Sequence, residues 1–144
     1  MKSVAEILRS KPHAFVHSVG PDDSVLDAVK LMAEKGIGAL VVLHNGRLVG
    51  IVSERDYARK VALLERSAFG AKVSEIMTAD VITVGPRHTT KQCMQLMTDR
   101  HLRHLPVLAE GELIGLLSIG DLVKQTIAEQ ESLIQQLEQY IRGE

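Results

Sequence analysis

The sequence predicts an α/β (α+β) fold built from two copies of one small unit, and three observations carry that reading. Slid over itself so that Val16 falls on Val81, the chain keeps register without a gap between residues 16–60 and 81–125, and an internal repeat of this kind decides the architecture. Within each copy the apolar residues switch between helical spacing and short β-type runs. The chain has 144 residues, 45% of them hydrophobic, which fits one compact domain or two very small ones. The superposition sets Leu31 and Met32 on Leu96 and Met97, Gly46 and Gly50 on Gly111 and Gly115, and Ser53 and Asp56 on Ser118 and Asp121.

Each element follows from local chemistry. Val4 to Leu8 matches Val73 to Met77 at a slightly different offset from the rest, so a similar short segment precedes each unit and a linker falls near residues 66–72. Residues 15–19 form a short strand. Ser24-Val-Leu-Asp27 has the pattern of a capping box, and Val25, Ala28, Val29 and Met32 follow at helical spacing up to the breaker Gly36. Residues 39–43 and 48–52 are apolar strands flanking His44-Asn45-Gly46-Arg47, whose Asn-Gly pair signals a hairpin. Ser53 opens a second helix containing Tyr57, Val61 and Leu64. Each unit therefore reads β-α-β-β-α, a small sheet covered by two helices. Such a unit buries too little apolar surface alone and packs on its copy about a pseudo-twofold axis. The predicted organisation is residues 1–68 for the first repeat, 69–127 for the second and 128–144 for a C-terminal amphipathic helix. Running into that helix, Val123, Ile127, Gln130, Ile134, Leu137 and Ile141 step by fours and threes over about three heptads, a coiled-coil seam or a face folded back on its own module.

Composition narrows the function. Seventeen Lys and Arg against eighteen Asp and Glu leave a net charge of −1, so no global positive field holds the chain on nucleic acid or anionic lipid. Aromatics are 3% with no Trp, which leaves few platforms for single-stranded nucleic acid. No apolar run reaches the roughly 18 residues of a membrane span. The single Cys93 excludes an intrachain disulfide and no signal-peptide core opens the chain, so a cytoplasmic protein is expected. No Ser–His–Asp set, carboxylate pair or metal-ligand cluster occurs at recognisable spacing, and an enzyme is not expected. Cys93 takes the slot of Ala28 on an apolar helix face and reads as a small core filler.

Gly50-Ile-Val-Ser53-Glu-Arg-Asp56 and Gly115-Leu-Leu-Ser118-Ile-Gly-Asp121, with Thr83-Val84 and Arg103-His-Leu-Pro106-Val107 before the second copy, resemble a tandem pair of CBS domains, or Bateman module. The resemblance spans residues 4–127. It implies an adenosyl ligand rather than a catalytic cofactor: AMP foremost, with ADP, ATP, NAD or S-adenosylmethionine as others. It further implies a stand-alone regulatory sensor that pairs as a homodimer and signals through assembly or a protein target, without nucleic acid or membrane. The other reading is a purely structural homodimerisation module.

The residues support a ligand site in their own right. Gly50 lets a ligand approach the backbone. Ser53 and Ser118 stand at helix N-termini, where free N–H groups favour phosphate, and Asp56 and Asp121, one turn on, can accept hydrogen bonds from vicinal ribose hydroxyls. Ser-x-x-Asp is equally a variant capping box that needs no ligand. Arg55 adds a phosphate cation to the first copy, where the second has Gly120. There Arg103 and His104 could supply the cation, or residues 100–104 could be a solvated helix end. The resemblance implies that Thr83 contacts ribose or base and places Pro106 at the strand entry. The expected ligand set is thus Ser53, Arg55, Asp56, Thr83, Arg103, His104, Pro106, Ser118 and Asp121.

Overall fold

Two antiparallel hairpins anchor the halves in a computed structural model that describes residues 2–11, 15–62 and 70–143. In the first, β2 (Ala39–His44) pairs with β3 (Arg47–Ser53); in the second, β4 (His104–Ala109) pairs with β5 (Glu112–Ser118). The register shifts after Val42 in one and after Val107 in the other, so even the irregularity is duplicated. Asn45 and Gly46 turn the first hairpin with φ of 51° and 78°, and Glu110 and Gly111 turn the second with 52° and 81°. Both central residues at positive φ match the twist of the flanking strands.

Helix α2 (Val25–Lys35) starts where Ser24 Oγ accepts the Asp27 N–H, half of the expected capping box, and ends on Gly36 in the left-handed region. Its counterpart α5 (Thr90–Arg100) has a reciprocal box between Thr89 and Gln92. Strand β1 is only Ser18–Val19, parallel to β2. In the second half the corresponding pairing shrinks to one bridge, between Val84 and Val107. Pro106 explains the loss: it stands where the first half has Val41 and has no N–H to continue the parallel ladder, although its carbonyl still accepts the Val84 N–H at 3.1 Å. Ser53 opens α3 (Glu54–Tyr57), which runs into a π-helical turn at Ala58–Ala62. Ser118 opens α6 (Ile119–Arg142), one uninterrupted helix of 24 residues that contains both the last helix of the second repeat and the expected C-terminal helix. Leu64, His13 and most of the linker near 66–72 lie outside the described residues.

The short leading helices are exchanged. In α1 (Val4–Ser10), Val4 and Ile7 are buried with Val84, Cys93, Met97, Leu105, Val107, Leu117 and Leu122 of the second half. In α4 (Val73–Ile76), Val73 and Ile76 are buried with Val25, Met32, Leu40, Val42 and Val52 of the first. Backbone bonds repeat the exchange: Val4 and Ala5 donate to the carbonyls of His88 and Pro86, and Val73 and Ser74 to those of Asp23 and Pro21. Gly115 and Gly50 admit these helices. A Cβ at Gly115 would stand 2.7 Å from Leu8 Cδ2, and one at Gly50 would stand 2.5 Å from Met77 Sδ. The room at Gly50 that the sequence offered to a ligand is therefore filled by Met77.

Candidate functional site

Burial of α1 against β5 brings the end of that helix to the start of α6, and a cavity of about 930 Å³ opens beside it. The second half contributes His104 from the entry of β4, residues 114–116 and Ser118 of β5, and Asp121 and Lys124 of α6. Leu8 and Lys11 come from α1 and its C-cap, and the first half adds Phe15, Val16, His17 and residues 35–39. The site is thus shared between the halves. The entries of β2 and β4 face each other closely enough that a Cβ on Gly38 would lie 3.9 Å from His104 Cε1.

Ser118 and Asp121 form a complete capping box: Ser118 Oγ accepts the Asp121 N–H at 3.2 Å, and Asp121 Oδ2 accepts the Ser118 N–H at 2.8 Å. The capping chemistry is therefore present, and the same carboxylate also faces the cavity. Lys11 Nζ reaches Asp121 Oδ2 at 3.0 Å and donates to the Leu116 carbonyl at 2.8 Å. Oδ2 is occupied twice, while Oδ1 has no hydrogen-bond donor among the described residues.

The first half repeats the box with a different cation. Asp56 Oδ2 accepts from the Ser53 N–H at 2.9 Å and from Ser53 Oγ at 3.1 Å, and Asp56 Oδ1 pairs with Lys60 at 3.3 Å, one turn along the same segment. Lys60 also donates to the Ile76 carbonyl. Where the first half has Lys60 the second has Gln125, buried and bonded to Glu129. Lys11 of the exchanged helix takes over its role, tying the acid of one half to a segment from the other.

Of the nine expected site residues, the cavity gathers His104, Ser118 and Asp121. Ser53 and Asp56 form the equivalent box in the first half, with Arg55 exposed on α3. Thr83 is half-buried just before the Val84 bridge, and Pro106 is buried inside β4; neither lines the cavity. Arg103 is exposed, does not line it either, and offers its carbonyl to the Ile119 N–H. Burial pushes His104 below the ordinary histidine value; Asp121 pulls against that shift while Arg103 and Lys11 add to it. At neutral pH it presents an uncharged ring that can donate from one nitrogen and accept at the other. Among the described residues the cations lining the cavity are Lys11, Lys35 and Lys124, which the residue patterns did not single out. Lys11 lies three residues past the duplicated stretch Val4 to Leu8, and the shifted offset of that stretch was the one sign that it belongs elsewhere. Phe15, 77% exposed, stands at the cavity with its ring edge-on to His17 at 4.9 Å.

Residues 4–63 and 73–127 match the CBS domain family. The chain belongs to that family. The two matches correspond to the two halves, so the cavity lies between the paired CBS domains. A mitochondrial CBS domain-containing protein of Arabidopsis thaliana, CBSX3, is 45% identical over 127 residues, which are 85% of this chain and 62% of that protein. An inosine-5'-monophosphate dehydrogenase of Korarchaeum cryptofilum is 43% identical over 109 residues, 74% of this chain but 21% of the enzyme. The chain therefore spans about three fifths and one fifth of these relatives' lengths. Among solved structures, a protein with CBS domains from Burkholderia ambifaria superposes with a TM-score of 0.87 at 56% identity, covering 90% of this chain and 96% of that one.

Proposed function

We propose that this CBS-domain pair is a regulatory module in the cytoplasm that binds an adenine nucleotide in the cavity at His104, Ser118 and Asp121. The observation that carries the reading is the cavity itself, with a half-buried carboxylate at a helix N-terminus, an uncharged imidazole, three lysines and the apolar walls Leu8, Ile37 and Ile114. Asp121 is the acceptor for the ribose hydroxyls, its Oδ1 being open. The Ser118 hydroxyl, at the positive end of the α6 dipole, receives phosphate. Phe15 offers a flat apolar face to the base. Ser53, Arg55 and Asp56 are assigned the same task in the first domain, and Thr83, Arg103 and Pro106 the shaping of the strand entries. AMP is the first ligand to try, followed by ADP, ATP, NAD and S-adenosylmethionine.

Thermal unfolding tests the reading. A ligand bound only by the folded chain stabilises it by about 2.7 kcal/mol at a hundred times Kd. At least one of the five should raise Tm, and Asp121→Asn should reduce that shift by more than it reduces the stability of the free protein. If none of them moves Tm at millimolar concentration, the nucleotide reading falls.

A second reading, homodimerisation, rests on α6. Beyond Glu129, whose carboxylate accepts the Lys2 N–H, every described residue of the helix from Gln130 on is exposed. Ile134, Leu137 and Ile141 form an apolar seam there, with Leu133 and Tyr140 beside it. Ile at one core position of the heptad, in Ile127, Ile134 and Ile141, with Leu137 at the other favours a two-stranded coil. The partner we assign to this seam is a second copy of the chain.

A further inference from the structure

We propose that Lys11 changes partners when the cavity fills, leaving Asp121 for a phosphate of the ligand, and that the site thereby selects anionic nucleotides over adenosine and over S-adenosylmethionine. The inference rests on the nucleotide reading above and names the ligand class within it. Among the described residues three lysines and one carboxylate line the cavity, Glu54 Oε2 stands 4.0 Å from where a Cβ on Gly38 would lie, and the half-buried imidazole adds no charge at neutral pH, so the lining remains cationic. A sulfonium is repelled there and a phosphate is attracted.

Lys11 makes the selection steeper than charge alone. It occupies Asp121 Oδ2, one of the two oxygens that a pair of ribose hydroxyls would use. A ribose that takes both oxygens displaces the ammonium, and a half-buried ammonium without a counter-charge is costly. Adenosine offers it nothing in return. A nucleotide brings its own anion within the same cavity, so the ion pair is exchanged rather than lost. Lys11 sits at the C-cap of α1 and still holds the Leu116 carbonyl, a second anchor from which its amino group can turn. The first domain lacks this device, because Lys60 reaches Asp56 from the same helical segment.

Isothermal titration of the full chain and of Lys11→Met and Lys11→Arg, each with adenosine, AMP, ADP, ATP and S-adenosylmethionine, tests the proposal. In the unaltered protein, affinity should rise with phosphate number and S-adenosylmethionine should bind more weakly than ADP. Lys11→Met should weaken the phosphorylated ligands about tenfold while adenosine binds as well as before or better, since Asp121 is released. Lys11→Arg should restore part of the phosphate preference. Equal losses of adenosine and ATP in Lys11→Met would make Lys11 a structural prop, and S-adenosylmethionine binding as tightly as ADP would remove the charge selection; either overturns the inference while the nucleotide reading stands. Failure of all five ligands to bind the unaltered protein overturns both.

Discussion

His101 holds a backbone conformation that its side chain disfavours. It caps α5 at φ 55°, in the left-handed region, at the position where Gly36 ends α2 at φ 65°. A residue with a Cβ gives up on the order of 1 kcal/mol there relative to glycine. His101→Gly is therefore expected to raise the unfolding free energy by about that amount in urea titrations; an unchanged midpoint would mean that the exposed ring makes good the strain. Gly36 was legible as a helix stop because glycine announces the conformation, whereas a histidine in the same slot does not, and residues 100–104 left a cation site and a helix end both open. Arg100 is in the last turn, His101 caps it and Arg103 is exposed, while His104 opens β4 at the cavity. Ser53, Asp56, Ser118 and Asp121 were legible as boxes for the opposite reason, since a capping box is written within four consecutive residues. Cys93, buried with its thiol pushed up by desolvation, is the core filler that its place on an apolar helix face suggested.

Short-range pattern specifies an element but not its destination, and α1 shows where that boundary lies. Val4 and Ile7 at helical spacing predict one apolar helical face, yet nothing in seven residues says which core receives it. Both side chains are buried in the core of the second domain, far along the chain. Ile7→Ala should accordingly cost about 2–5 kcal/mol and act at a distance in sequence. Amide hydrogen exchange is expected to quicken in β4 and β5 well before β2 and β3; the reverse order would contradict the exchange of helices. The strand expected before α5 shrinks to one bridge for a different reason, because Pro106 looks unremarkable inside an apolar run and matters only once a parallel neighbour needs its absent N–H. The continuity of α6 was hidden because the repeat pattern ends inside it while the seam pattern runs on, although no breaker stands between Gly120 and Gly143.

At the scale of the molecule, the repeat supplied the pair of units and their hairpins, but a cavity shared between halves could not be derived from either half alone. Lys11, Lys35 and Phe15 meet Asp121 only after the domains are paired, so spacing along the chain carried no trace of them. The assembly reading belongs to this scale as well. Removing residues after Glu129 should dissociate the proposed dimer, since each buried Ile or Leu contributes on the order of 1.5–3 kcal/mol, while nucleotide binding persists because Ser53, Asp56, Ser118 and Asp121 all precede the cut. Sedimentation equilibrium decides: a full-length monomer at tens of micromolar ends the dimer reading, and a truncated chain that still pairs moves the interface onto the domains.

The reciprocal seating of α1 and α4 also sets a timetable. A ribosome releases α1 ahead of both domains, yet the surface that receives it is complete only when Leu117 and Leu122 have been made, a wait on the order of ten seconds at ordinary elongation rates. A seven-residue helix does not hold by itself in water for that time. The first domain is likewise left open until α4 arrives behind the linker. The first domain can therefore close once α4 has emerged, whereas α1 waits for the second domain and is among the last segments to find its place.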